Sequence, residues 1–259
     1  MRLVIRQKSR RNPLLSVLSR PARRGPQLPG LIERYTDGIK GTEKLKAESA
    51  LKEFSNVKIE GFEFCRKANE YFESLKNQPG GINRVRLRRE RPIKKFIEEV
   101  VPLANYIRRS YLLGLILKVK WIDGDQNYDA IIYASGTRVD REKYPKKRFV
   151  EITTAIHPKE YLVREHLAKN GFAGSAKGMS RDAKTGETVS KPVVNTDNQQ
   201  IGELVDQIIG VVKNKASKKY PNGTDLVIQC KADTLIYDYE WDEAVKRVLK
   251  NVPEINLVK

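Results

Sequence analysis

Tyr128-Asp129-Ala130-Ile131-Ile132-Tyr133, followed by Arg148-Phe149-Val150-Glu151-Ile152-Thr153-Thr154-Ala155-Ile156, is the stretch that decides the reading of this chain. Both runs are rich in β-branched and aromatic residues. The thirteen-residue polar segment 135–147 lies between them, with Ser-Gly and Tyr-Pro punctuation, so two strands are expected. Side chains alternate across a strand, which puts Glu151 and Thr153 on one face and Val150 and Ile152 on the other. Pairing of the two strands could bring Asp129 and Glu151 together on one face. Two carboxylates in a partly buried site repel unless one is protonated or a cation sits between them.

Working outward, Leu115–Ile122 alternates apolar and polar residues and reads as a preceding strand, with a turn at 123–127. Ile93–Leu113 carries apolar residues at 93, 96, 97, 100, 104, 107 and 111, a helical stripe that Pro102 can kink. After the two strands come a short helix over Lys159–Lys169, a long polar segment at 170–196, and a helix over Gln200–Tyr220. A strand over Asp225–Cys230 and a closing helix over Tyr239–Val252 complete the order. Helix, three strands, two helices, strand and helix predict an α/β (α+β) domain, a mixed central sheet flanked by helices, over 92–259.

The rest of the chain is basic. Residues 1–97 hold 24 Lys/Arg against 10 Asp/Glu, and the remainder 26 against 22, within a net charge of +18. Residues 1–30 read as a basic, proline-rich extended arm, and 31–91 as a mainly helical basic module with helices over Thr42–Lys52 and Phe62–Lys76. Residues 83–88 alternate Asn-Arg-Val-Arg-Leu-Arg and suggest a short strand. Arg84, Arg86, Arg88, Arg89, Arg91, Lys94 and Lys95 form the densest basic cluster beyond the arm, for which phosphate contact is the leading reading and a solvated face the plainer one. Cys65 and Cys230 form no CxxC or Cys/His cluster, so a zinc site or disulfide framework is not expected and a reducing, cytoplasmic setting is. No apolar run reaches the length of a membrane span. Gly171–Gly178 lacks the context of a P-loop, and no nucleophile–histidine motif appears.

Asp129 at the start of one strand and Glu151-Ile152-Thr153 on the next, within an α-β-β-β-α-β order, resemble the core of the PD-(D/E)xK nuclease superfamily, a restriction-endonuclease-like fold, with ExT in place of ExK. Trp121–Ala130, Val150–Ala155, Arg164-Glu165-His166-Leu167 and Tyr220–Val227 are also similar to uncharacterised bacterial proteins grouped with those nucleases. The resemblance spans roughly residues 93–250. It implies that Asp129 and Glu151, with the carbonyl of Ile152, hold Mg²⁺ or Mn²⁺. A helix carboxylate completes such sites, Glu99 before Glu98. It also implies a catalytic position for Thr153, which hydrogen-bonds but supplies no positive charge. Gln126, His157, Lys159, Arg164 and His166 are the auxiliary candidates that could reach the site.

Two functions follow as expectations. One is a metal-dependent nuclease whose basic N-terminal region grips the backbone of nucleic acid, DNA before RNA. The other is a catalytically degenerate nuclease fold that binds nucleic acid or a protein partner without cleavage. An assembly protein of a nucleoprotein particle is a third reading, and a homodimer or larger assembly stays open. Plainer readings make Asp129 a strand-initiating residue, Glu151 an exposed strand carboxylate paired with a lysine and His166 a surface histidine.

Overall fold

Leu117, Val119 and Trp121 are buried while Ile116 before them and Lys118 between them are exposed, and this period-two pattern makes strand β3 (Ile116–Trp121). The computed structural model describes residues 2–6, 48–194, 196–230, 238–252 and 256–257. Its other sheet strands are β1 (Arg2–Arg6), β2 (Lys58–Glu60), β4 (Ala130–Ser135), β5 (Lys147–Ala155), β8 (Thr224–Cys230) and β9 (Asn256–Leu257). They form one seven-stranded sheet in the order β2-β3-β4-β5-β8-β1-β9. Pairing is antiparallel from β2 to β5 and parallel from β5 through β8 and β1 to β9. A mixed sheet flanked by helices is thus the architecture.

Helices cover both faces. On one lie α1 (Gly61–Asn77), α2 (Gly81–Leu87), α3 (Arg91–Lys95), a π-helical segment (Phe96–Val100) and α4 (Val101–Ser110). Phe64, Ala68, Phe72 and Leu75 of α1 recur at helical spacing and share a core with Phe96, Ile97, Leu103 and Ile107, over Leu117, Val119, Trp121 and Val150 of the sheet. Each fully buried phenylalanine there contributes about 1.5–3 kcal/mol. On the other face, α7 (Asp197–Ala216) presents Ile201, Leu204, Val205, Ile208 and Val212 to Ala155, Leu226, Ile228 and Cys230, joined by Ala244 and Val248 of α8 (Asp238–Asn251). A capping box starts α7: the Thr196 hydroxyl accepts from the Gln199 backbone N–H at 3.3 Å, and the Gln199 side-chain Oε1 accepts from the Thr196 N–H at 3.1 Å. A short α5 (Thr137–Asp140) precedes β5, and α6 (Glu160–Asn170) follows it. Among the described residues, no helix is long and apolar enough to cross a membrane.

Several expectations are corrected. The strand expected over 83–88 is helix α2. Gly80 enters it with φ of 68°, and Arg84 ties its ends together, donating to Gln78 at 2.8 Å and to both carboxylate oxygens of Glu90 at 2.7 Å. The polar segment 170–196 contains a hairpin of β6 (Met179–Arg181) and β7 (Thr188–Ser190), closed by Asp182 accepting the N–H groups of Lys184 and Thr185. Arg2–Arg6, read as the start of an extended arm, is a strand between β8 and β9, while residues 7–47 lie outside the described residues. Of the helix expected over Thr42–Lys52, only 48–52 falls among the described residues, and those are helical. The first core runs across the boundary expected at residue 92, because β2 joins β3 and α1 packs on α4. Pro102 leaves no sharp break. The Val101 N–H reaches back to the Phe96 carbonyl, and the widened π turn lies just where proline removes a helical donor.

Candidate active site

Asp129 sits one residue ahead of β4, where the ladder to β5 ends. Its N–H donates to the Val150 carbonyl at 2.8 Å, and its carboxylate Oδ2 accepts the N–H of Ile152 at 2.6 Å. The side chain therefore lies against the peptide that joins Glu151 to Ile152. Val150 and Ile152 belong to the core under α4, so Glu151 and Thr153 face α7. Glu151 is buried, at 7% exposed, and its Oε1 accepts from Lys215 Nζ in the last turn of α7.

The electrostatics follow from this crowding. Burial first, then the Glu151 charge, pushes the pKa of Asp129 up to about 7, with Glu99 adding in the same direction; the Ile152 N–H and Lys215 act against the rise. Tyr220, four residues past α7, has a buried hydroxyl beside the Glu151 carboxylate. Burial and then the charges of Glu151 and Asp129 push its pKa up to about 12. The turn before Asp129 is tied to the chain after α7 by Asn127, which donates to the Lys219 carbonyl at 3.0 Å.

Glu99 comes from the π segment. Trp121 is fully buried and its indole N–H needs an acceptor; it donates to Glu99 Oε2 at 3.1 Å. Burial holds the Glu99 carboxyl above its usual range, and Lys95 opposes that. Glu98 points elsewhere, accepting from Arg88 at 3.1 Å with Arg164 at 4.0 Å. Of the two helix acids, Glu99 is the one whose charge reaches Asp129.

The auxiliary candidates disperse. Gln126 spends its amide N–H groups on the carbonyls of Tyr128 at 2.8 Å and Ile122 at 3.4 Å, shaping the turn. His157 accepts the Lys159 N–H at 3.1 Å in a surface turn. Arg164 pairs with Glu160 at 3.6 Å. His166 is buried between α6 and β7, with Nδ1 at 3.1 Å from both the Thr188 carbonyl and the Asn170 amide.

The arginine cluster does not form one open surface. Arg84 pairs with Glu90, Arg86 is 8% exposed, and Arg88 pairs with Glu98. Lys95 pairs with Asp123, and the largely exposed Arg89 lies 3.5 Å from Glu165, leaving Arg91 and Lys94 among the exposed members.

Lys215 and Tyr220 are the residues that the sequence reading missed. Lys215 had a signal: it continues the stripe Ile201, Val205, Ile208 and Val212, where an apolar residue is due. Tyr220 opens one of the stretches that carry the resemblance, but nothing in the sequence placed its side chain beside Glu151. Among the described residues no three His, Cys, Asp or Glu side chains gather as a metal cluster. A cation here would rest on Asp129, Glu151, main-chain oxygen and water. That oxygen-only set, with an acid surplus strong enough to raise Asp129, fits a hard divalent ion. Comparison of the chain with protein-family models, with characterised proteins and with solved structures finds no match.

Proposed function

We propose that the chain is a metal-dependent phosphodiesterase acting on nucleic acid, with Asp129, Glu151 and Lys215 at its centre and Glu99 beside them. The observation that carries the reading is the meeting of two carboxylates from neighbouring strands with one lysine from a helix. The order α4, β3, β4, β5, α7, β8 supports it as well: with the short α5 set aside, and with α6 and the β6–β7 hairpin inserted between β5 and α7, it is compatible with the α-β-β-β-α-β pattern of the nuclease core that the sequence resembles. A divalent ion bound by Asp129 and Glu151 would supply a water of lowered pKa and a positive centre for the phosphate.

The protein's own part is positioning. The Ile152 amide fixes the Asp129 carboxylate, so its direction is set before substrate arrives. Lys215 orients Glu151 and brings the positive charge that Thr153 cannot bring. Thr153, two residues along β5 on the same face and half-buried, offers a hydroxyl. Tyr220 offers a neutral phenol, as any tyrosine does at neutral pH, and burial beside Glu151 and Asp129 only strengthens that.

The Lys215–Glu151 ion pair also favours a second reading. A lysine seated on Glu151 neutralises it in place of a metal, leaving a nuclease fold that binds without cutting. Glu151→Gln separates the two. In the enzyme it abolishes Mg²⁺-dependent cleavage of DNA or RNA while nucleic-acid binding persists, because the lysine-rich surfaces are untouched. Absence of metal-dependent cleavage by the unaltered protein on single- and double-stranded DNA and RNA, with binding retained, selects the binding protein.

A further inference from the structure

The register of the sheet sorts its open face into rows. Lys58 lies opposite Lys120, Lys120 opposite Ile131, and Ile131 opposite Phe149. The next row outward is Glu60, Lys118, Tyr133 and Lys147, and beyond it stand Ile116 and Ser135. Residues directly opposite in a ladder share a face, so these rows form one surface. It is the face that α7 and α8 cover farther along, over Leu226 and Ile228. Over β2, β3 and β4 it stays open among the described residues: Lys58, Ile116, Lys118 and Lys147 are exposed, Lys120, Tyr133 and Phe149 are half-buried, and Ile131 is buried.

The chemistry of this surface is one-sided. It carries four lysines interleaved with aromatic rings. Lys58 Nζ lies 4.0 Å from the centroid of the Tyr133 ring, Lys147 Nζ lies 4.6 Å from that of Phe149, and Tyr128 meets Phe149 edge-on at 4.8 Å. Among the described residues none of the four lysines has a carboxylate within ion-pair distance. Glu60, the one acid in these rows, is spent on the start of α1, where it accepts the N–H groups of Phe62 at 2.8 Å and Glu63 at 3.0 Å, and on the Tyr111 hydroxyl. Asp129 and Glu151 lie just past the Lys120–Ile131–Phe149 row. Two residues of strand separate one row from the next, about 7 Å.

We propose that this open face of β2, β3 and β4, continuing onto Phe149, binds a single strand of nucleic acid and leads it to Asp129 and Glu151. Lysines meet phosphates, and the rings of Tyr133 and Phe149 take unpaired bases, which a duplex keeps stacked inside. The inference rests on nucleic acid being the substrate of the proposed function and adds which form it takes and by what path it arrives.

The test is fluorescence anisotropy of labelled oligothymidylate, oligouridylate and a mixed-sequence duplex, with chelator present so that no cleavage intrudes. The protein binds the single strands more tightly than the duplex. Lys118→Ala with Lys120→Ala weakens single-strand binding at least tenfold and lowers the slope of log affinity against log salt by about 1.4, from two lost phosphate contacts. Tyr133→Ala weakens binding about 5- to 100-fold with the salt slope unchanged. Thermal melts that match the unaltered protein identify these as surface effects. Unchanged affinity and slope in the lysine variant overturns the proposal, as does equal binding of duplex and single strand. Binding to phosphatidylserine vesicles in place of oligonucleotides does so too. Cleavage is read separately, so a binding surface without cleavage, or cleavage without this surface, tells which claim has failed.

Discussion

Two acids on either side of β5, one buried and one half-buried, meet opposite treatment. Asp225 on β8 is fully buried against α4; Arg148 lies 2.9 Å from its Oδ2 and the Tyr106 hydroxyl donates at 2.6 Å. Arg148 is itself only 4% exposed and lies 4.3 Å over the Tyr144 ring. Asp129, by the start of β4 on the α7 side, has one backbone N–H, a like-charged neighbour and a share in one lysine. The first acid is matched charge for charge, which is what a structural ion pair requires. The second keeps a surplus of negative charge, and such a mismatch costs stability unless something else uses it. On the proposed function, the difference makes the α4 side of the sheet mainly scaffold, Glu99 apart, and places the unmatched charge on the α7 side.

The largest expected effect falls on the scaffold. Arg148→Met leaves Asp225 buried with an uncompensated charge and lowers unfolding free energy by about 3–5 kcal/mol in a urea titration. A loss below about 1 kcal/mol would erase the contrast between the two acids. On the α7 side, Lys215→Met lowers metal-dependent cleavage about 10²- to 10³-fold, and Lys215→Arg restores part of the rate. Equal rates for Lys215→Met and the unaltered protein would remove the lysine from the chemistry.

The third effect is a pH dependence with a definite sign. Asp129 has a folded pKa of about 7, above its unfolded value of 3.8. Its contribution is fully present below the unfolded value and is lost as pH rises through the folded one. Without divalent metal, the protein is more stable near pH 5 than near pH 8 by about 2–4 kcal/mol from this group. Asp129→Asn flattens that part of the profile; a profile unchanged in the variant assigns the dependence to other groups. The smallest effect is expected from Thr153→Lys. Because Lys215 already serves Glu151, the substitution leaves the cleavage rate unchanged, and a clear gain would mean that Lys215 does not fill the role.

Much of the fold was legible because its signals are local. Alternation over β3 and β5 and the apolar stripes of α1, α4 and α7 are read within ten or twenty residues. Asp129 and Glu151 were legible for the same reason, as polar interruptions in strands. What escaped depended on distant partners. Arg84, Arg86 and Arg88 read as one basic surface because their partners, Glu90 and Glu98 among them, come together only when α2 folds against the π segment. The 83–88 alternation mimics a strand, yet the Gly80-Gly81 entry and the bidentate Arg84–Glu90 pair make a helix. Lys215 lies 64 residues from Glu151, so no spacing rule joins them. The lysine rows of the sheet face could be aligned only once the register of β2 against β3 was known.

The claim at the centre is that the surplus charge at Asp129 and Glu151 awaits a divalent cation. The measurement that tests it most directly is an NMR titration of the Asp129 side-chain carboxyl, with and without saturating Mg²⁺. A cation beside the carboxylate favours its charged form, so the account predicts a pKa near 7 without metal that falls well into the ordinary carboxylate range with it. A pKa that stays near 7 at every Mg²⁺ and Mn²⁺ concentration would contradict it.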